Sequence, residues 1–187
     1  MPRAGHVGNG AHMVTPIWQL LIDTTDTSVA WIDHRPNLRF AIHNPGGTQE
    51  PADDLILDKE TGLIWPRNAN VRGAPMNWLD ANTTTRELRL ATRIGWRLPT
   101  VEELSSLIDT RRSNPALPIG HPFVSVQFGD TTPAYWTSTN NENPTGSAWF
   151  VNMGVGAAGL ASKGGNPQIL GFVWPVRGGR GGVSWNW

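Results

Sequence analysis

Apolar and polar positions along the chain follow two periods, and the changes between them mark the elements. Residues 17–22 (IWQLLI) form an apolar run too short for its period to decide between strand and helix. Residues 29–33 (VAWID) and 38–42 (LRFAI) alternate in the manner of strands. Turn chemistry fills 44–54, where Gly46 and Gly47 sit among Asn, Pro and Asp. Residues 55–65 (LILDKETGLIW) place two short apolar runs around a polar loop closed by Gly62, which predicts a β-hairpin.

The period then lengthens. Across 77–95, Trp78, Ala81, Leu88 and Ala91 roughly fit one helical face ending at Gly95, although Thr83, Thr84 and Thr85 weaken it. A second helix is predicted at TVEELSSLID. Thr100 and Glu103 form a capping box there, and Val101, Leu104, Leu107 and Ile108 make one apolar stripe. Residues 110–133 read as a Pro-punctuated loop. Residues 134–139 (AYWTST) and 147–153 (SAWFVNM) read as strands joined by a polar loop, and 169–179 (ILGFVWPVRGG) as a strand ending in glycine. The glycine-rich stretch before it is open between a strand pair and an irregular loop. Residues 1–16 read as an extended tail without the charged-then-apolar layout of a signal peptide.

Composition narrows the function classes. Fifteen basic and fifteen acidic residues give a net charge of +0, so no field gathers nucleic acid or an anionic membrane, and neither is expected as a partner. No apolar run approaches the roughly 20 residues of a membrane span. With no cysteine there is no disulfide, no thiolate nucleophile and no Cys-bound zinc. Twenty-one glycines and fifteen prolines imply many turns, and ten tryptophans imply cores filled by large rings. At 187 residues the chain suits one domain with a real core, read as 38–187 after a tail and apolar segments at 1–37.

The motif order carries a resemblance. DLILDKETGLIW, a helix, GWRLPTVEELSSLID, YWTST, AWFVNM and FVWPVRGG follow one another as in the Lcl C-terminal domain family of bacterial surface and collagen-like adhesins. The similarity runs from about Arg39 to Gly179, and WRLPT-x-x-EL is its most specific piece; the cysteine usual before the final Val-Arg-Gly-Gly is missing here. The resemblance implies an α+β, C-type-lectin-like domain, a small twisted antiparallel sheet with two helices and long loops. It further implies a non-catalytic ligand-binding or adhesin role, at the cell surface or outside the cell. The fold is shared with retroelement variable proteins and with formylglycine-generating enzymes. The latter need cysteines this chain lacks, and its five histidines show no iron-binding spacing.

Within that expectation the candidate ligand-binding residues are Trp136, Asn140, Asn141, Glu142, Asn143, Trp149, Asn152, Lys163, Asn166 and Gln168. Amides offer donor and acceptor to hydroxyl-rich ligands, and an indole face packs on the apolar face of a sugar. Taken singly, each is more often an ordinary loop or core residue. No cofactor is expected. Glu142-Asn143-Pro144 has the wrong order for a lectin calcium motif, and Trp185-Asn186-Trp187 lacks its final Asp; Asp53, Asp54, Asp58 and Glu60 are the remaining oxygen donors. Arg97 is read as an ion-pair partner of Asp109 or Glu102. The expected partner is a glycan or a protein ligand on a surface, with homo-oligomeric assembly as the alternative role. No hydrolase elbow, phosphate loop or HExxH motif is present.

Overall fold

The computed structural model describes residues 31–33, 39–44, 54–129, 133–141, 146–164 and 168–178. The run 17–22 lies outside them. The fold is α+β, with two antiparallel sheets and two helices among the described residues. The first sheet has four strands in the order β1 (Trp31–Asp33), β2 (Phe40–His43), β3 (Leu55–Asp58) and β4 (Leu63–Pro66). Helices α1 (Trp78–Arg86) and α2 (Val101–Ser105) follow. The second sheet pairs β5 (Tyr135–Asn141), β6 (Ser147–Asn152) and β7 (Ala157–Ser162) in that order.

The predicted hairpin forms with Leu57 opposite Ile64. Both its strands are buried on both faces, and their two-residue period sorts them between two cores. Ile56, Leu63 and Trp65 face a main core that also holds Leu104 and Leu107 near α2, Tyr135 and Val151 of the second sheet, and Trp174. Leu55, Leu57 and Ile64 face a smaller core with Leu88 and Trp96. Gly62 turns the hairpin at φ 71 while its N–H reaches the Asp58 carbonyl at 2.8 Å.

Two expected elements change shape. The helix predicted to run to Gly95 stops at Arg86, because Leu88 turns away into the smaller core and Ala91 and Thr92 adopt positive φ in a tight turn. The expected strand at 169–179 is no regular strand. It spends its backbone bonds on four partners in turn: Met76 through Gly171, Tyr135 through Phe172, Arg97 through Val176 and Ile64 through Arg177. The ambiguous glycine-rich stretch, by contrast, supplies β7.

Arginine–carboxylate pairs tie the pieces together. Asp58, fully buried, accepts from Arg39 at both oxygens (2.8 and 2.7 Å), from the Glu60 N–H and from the Thr61 hydroxyl. Arg39 also donates to the Ser106 carbonyl at 2.8 Å, so the hairpin turn is fixed to the end of α2. Arg67 bonds Asp54 at 2.7 Å and the Pro122 carbonyl at 3.0 Å. Arg97 pairs with Glu103, at 2.7 Å to each oxygen, and not with the expected Asp109 or Glu102. Asp109 is taken by Arg111.

Removing the Asp58 carboxylate takes away the bidentate partner of Arg39 and leaves the guanidinium only the exposed Glu60 carboxylate at 3.2 Å. Asp58→Ala is expected to cost about 3–5 kcal/mol in denaturant unfolding; a loss below about 1 kcal/mol would show the pair to be dispensable. A second expectation concerns His121, stacked on Phe123 and held by burial below its ordinary pKa of 6.5. The unfolded chain then takes the proton first. The stability contributed is present above pH 6.5 and is lost as pH falls from there through the folded value. His121→Phe should therefore flatten the acid side of the stability–pH curve, and an unchanged slope counts against the assignment.

Candidate functional site

The second sheet presents most of the candidate residues, and its pairing decides which side each occupies. Tyr135 opposes Val151 and shares the main core with Leu104 and Leu107, so that face lies toward α2. Trp149 and Leu160 oppose one another two residues along on the same face, as do Ser147 and Ser162. The other face carries Trp136, Phe150 and Gly159, then Asn140, Ala148 and Ala161. A register shift in β5 between Trp136 and Asn140 adjusts the strand between these two groups.

Three side chains converge at the far end of this second face. The half-buried Trp78 of α1 donates its indole N–H to the Thr137 carbonyl at 2.8 Å, which anchors the ring to β5. The Lys163 ammonium stands 4.8 Å above the Trp78 ring centroid, within cation–π range. It also donates to Asn140 Oδ1 at 3.2 Å. The backbone beneath is fixed, since the Lys163 N–H reaches the Gly146 carbonyl at 2.8 Å. Asn77 caps α1 through the Asp80 N–H, so the helix start that carries Trp78 is itself fixed. The result is an aromatic face, an ammonium and an amide on rigid elements.

The expected set divides accordingly. Asn140 and Lys163 come together. Trp149, half-buried, lies on the opposite face with Leu160, and Asn141 opposes Ser147 on that side. Asn152 shapes the β6–β7 turn, its Oδ1 accepting from the Gly154 N–H at 2.7 Å. Gln168 is exposed at the start of the C-terminal segment. Glu142, Asn143 and Asn166 lie outside the described residues, as does Asp53.

Trp136 is core. Its ring is 1% exposed, packs with Ala81, Leu98 and Val173, and spends its N–H on the Met76 carbonyl at 2.9 Å. No face of it is left for a ligand. Trp78, which sequence reasoning placed only on a helical face, takes the surface role. Nothing in its local sequence separates Trp78 from a core tryptophan.

The described oxygen donors considered for calcium are engaged with cations already present: Asp58 and Glu60 with Arg39, and Asp54 with Arg67. Among the described residues no group of three or more His, Cys, Asp or Glu is placed to hold a metal ion.

Residues 54–177 match the Lcl C-terminal domain family, about two thirds of the chain. The chain belongs to that family. The matched span of this Lcl C-terminal domain begins at Asp54, the partner of Arg67, and ends at Arg177, the last backbone partner of β4. No curated protein and no solved structure matches the chain.

The two tryptophans separate by stability. Trp136→Ala is expected to cost about 3–5 kcal/mol, as emptying a core position of a large ring does. Trp78→Ala, at a half-buried position on the edge of the same cluster, should cost less. Equal losses in chemical denaturation would remove the distinction between core and surface ring.

Proposed function

We propose that this Lcl C-terminal domain is a C-type-lectin-like, non-catalytic ligand-binding module of a bacterial or phage surface protein, acting outside the cell, with a glycan as its ligand. The observation that carries the reading is the Trp78–Lys163–Asn140 cluster. An indole face matches the apolar face of a sugar ring, while an ammonium and an amide supply donors and an acceptor to its hydroxyls. These are the group types a small, orientation-specific sugar site uses, and they stand on a capped helix, on β5 and just past the end of β7. The adhesin role is what the resemblance to bacterial surface and collagen-like adhesins implies. No ion has a part in the reading: Asp54, Asp58 and Glu60, the described carboxylates considered for calcium, are paired with arginines.

The test is a glycan and glycosaminoglycan array with the full chain, run with calcium and with chelator. Binding is expected to be insensitive to chelator. It should fall by about tenfold or more in Trp78→Ala and in Lys163→Ala, roughly 1.4 kcal/mol per tenfold, with the thermal transition little changed. Trp149→Ala, on the other face, should leave it intact. Array binding that survives both substitutions would place the ligand elsewhere, and an array without reproducible binding would overturn the glycan assignment.

A further inference from the structure

Helix α1 carries a motif that the candidate site does not use. Of the fourteen asparagines in the chain, Asn82 alone has a threonine or serine two positions on with no proline between, as Asn82-Thr83-Thr84. That is the acceptor pattern for an N-linked glycan. Asn143-Pro144-Thr145 fails it through its proline. Bacterial oligosaccharyltransferases also select an acidic residue two positions ahead of the asparagine, and Asp80 stands there.

The folded helix both presents and locks this motif. Asn82 is half-buried, so a group on its amide has a way out to solvent. Thr84 spends its hydroxyl on the Asp80 carbonyl at 2.7 Å, and Asn82 is fixed in a helical turn. An oligosaccharyltransferase takes an unwound acceptor with that hydroxyl free, so only an open α1 can serve. Two features keep α1 open for long. Its nine residues, three of them threonines, are fewer than the roughly 12–15 a marginally stable isolated helix needs. Its docking residue Ala81 packs with Leu98, Trp136, Ala148 and Val173, and Val173 lies 91 positions after Asn82. Synthesis at about 5–20 residues per second then leaves the acceptor open for roughly 5–20 s before its cover exists.

We propose that Asn82 is an N-glycan acceptor, modified on the exported chain before α1 docks. The donor is an oligosaccharide on a lipid diphosphate. A bond forms between Asn82 Nδ2 and the anomeric carbon as the anomeric carbon–oxygen bond breaks. The lipid diphosphate leaves with that electron pair, and the amide gives up one proton. Transfer of this kind takes place beyond the cytoplasmic membrane, so the assignment rests on the extracellular placement proposed above. Asn82 follows Trp78 by four residues on α1, which puts their Cβ atoms about 5–6 Å apart. The attached sugar therefore emerges on the flank of the candidate site.

The test exports the full chain in a bacterial host that carries an oligosaccharyltransferase and its lipid-diphosphate-linked oligosaccharide. Intact mass should rise by one oligosaccharide, mapped to Asn82 by peptide sequencing. Asn82→Gln and Thr84→Ala should abolish the rise and Thr84→Ser should keep it, with circular dichroism checking that each variant folds. Purified, folded chain given the same enzyme and donor should stay unmodified. Val173→Ala, which loosens the cover of Ala81, should be modified roughly tenfold faster or more than the folded parent. No added mass, in a host that modifies a reference glycoprotein, overturns the acceptor, as does added mass that survives Asn82→Gln. Folded parent modified as fast as Val173→Ala overturns the order of events. A chain that binds the glycan array and is never modified loses this acceptor and keeps the sugar site.

Discussion

The Arg97 guanidinium bonds to both oxygens of Glu103 and to the Gly178 carbonyl at 2.9 Å, and its backbone exchanges bonds with Val176. One residue thereby holds the entry to α2, the last described residues of the chain and, through their neighbour Arg177, the edge of β4. Glu103 has a second duty, since its Oε2 also accepts the Thr100 N–H at 2.9 Å and closes the capping box. Charge-assisted bonds of this kind contribute about 1.5–3 kcal/mol each, and here they act where the backbone lacks regular sheet pairing. The candidate site depends on this frame. Pro99 and Thr139 bond β5 to the same helix entry, and β5 carries Asn140 and the carbonyl that anchors Trp78.

How much of this was legible follows from the range of each interaction. The hairpin at 55–65 and the capping box at Thr100 and Glu103 are specified by residues a few positions apart, and both form as read. The C-terminal segment reads as a strand because Phe172, Trp174 and Val176 alternate. Its partners are 37 to 113 positions away, and nothing local says that they are four different elements. The partner of Arg97 was hidden because Glu103 already had an explained role, and a carboxylate with two oxygens can fill two. For the candidate site, the polar positions Asn140 and Lys163 were visible in the sequence. The aromatic was not, because a fold in which ten tryptophans compete for the interior assigns them by tertiary packing alone.

The second sheet gains its two distinct faces at a cost in side-chain choice. Phe150 lays its ring across Gly159, where an added Cβ would lie 2.6 Å from the ring tip. That glycine weakens β7 as a strand, and the covering phenylalanine restores the lost contact. The same arrangement keeps Ala148 and Ala161 low beside Asn140, so the Lys163 chain can cross the sheet toward Trp78 without a bulky neighbour. The other face carries Trp149 and Leu160 instead, an apolar pair at the open edge.

The late position of the segment 171–178 has a consequence for how the protein is made. Phe172, Trp174 and Val176 are core residues in contact with groups translated long before them. Chains emerge from the ribosome at about 5–20 residues per second, so most of both sheets are exposed to solvent before these rings exist. Until then the β3–β4 hairpin and the β5–β6 pair have no closed interior, and a stalled or prematurely ended polypeptide presents bare apolar strands. Closure of the core therefore waits for this segment, and a cell producing this domain must shield the nascent chain until these residues have emerged.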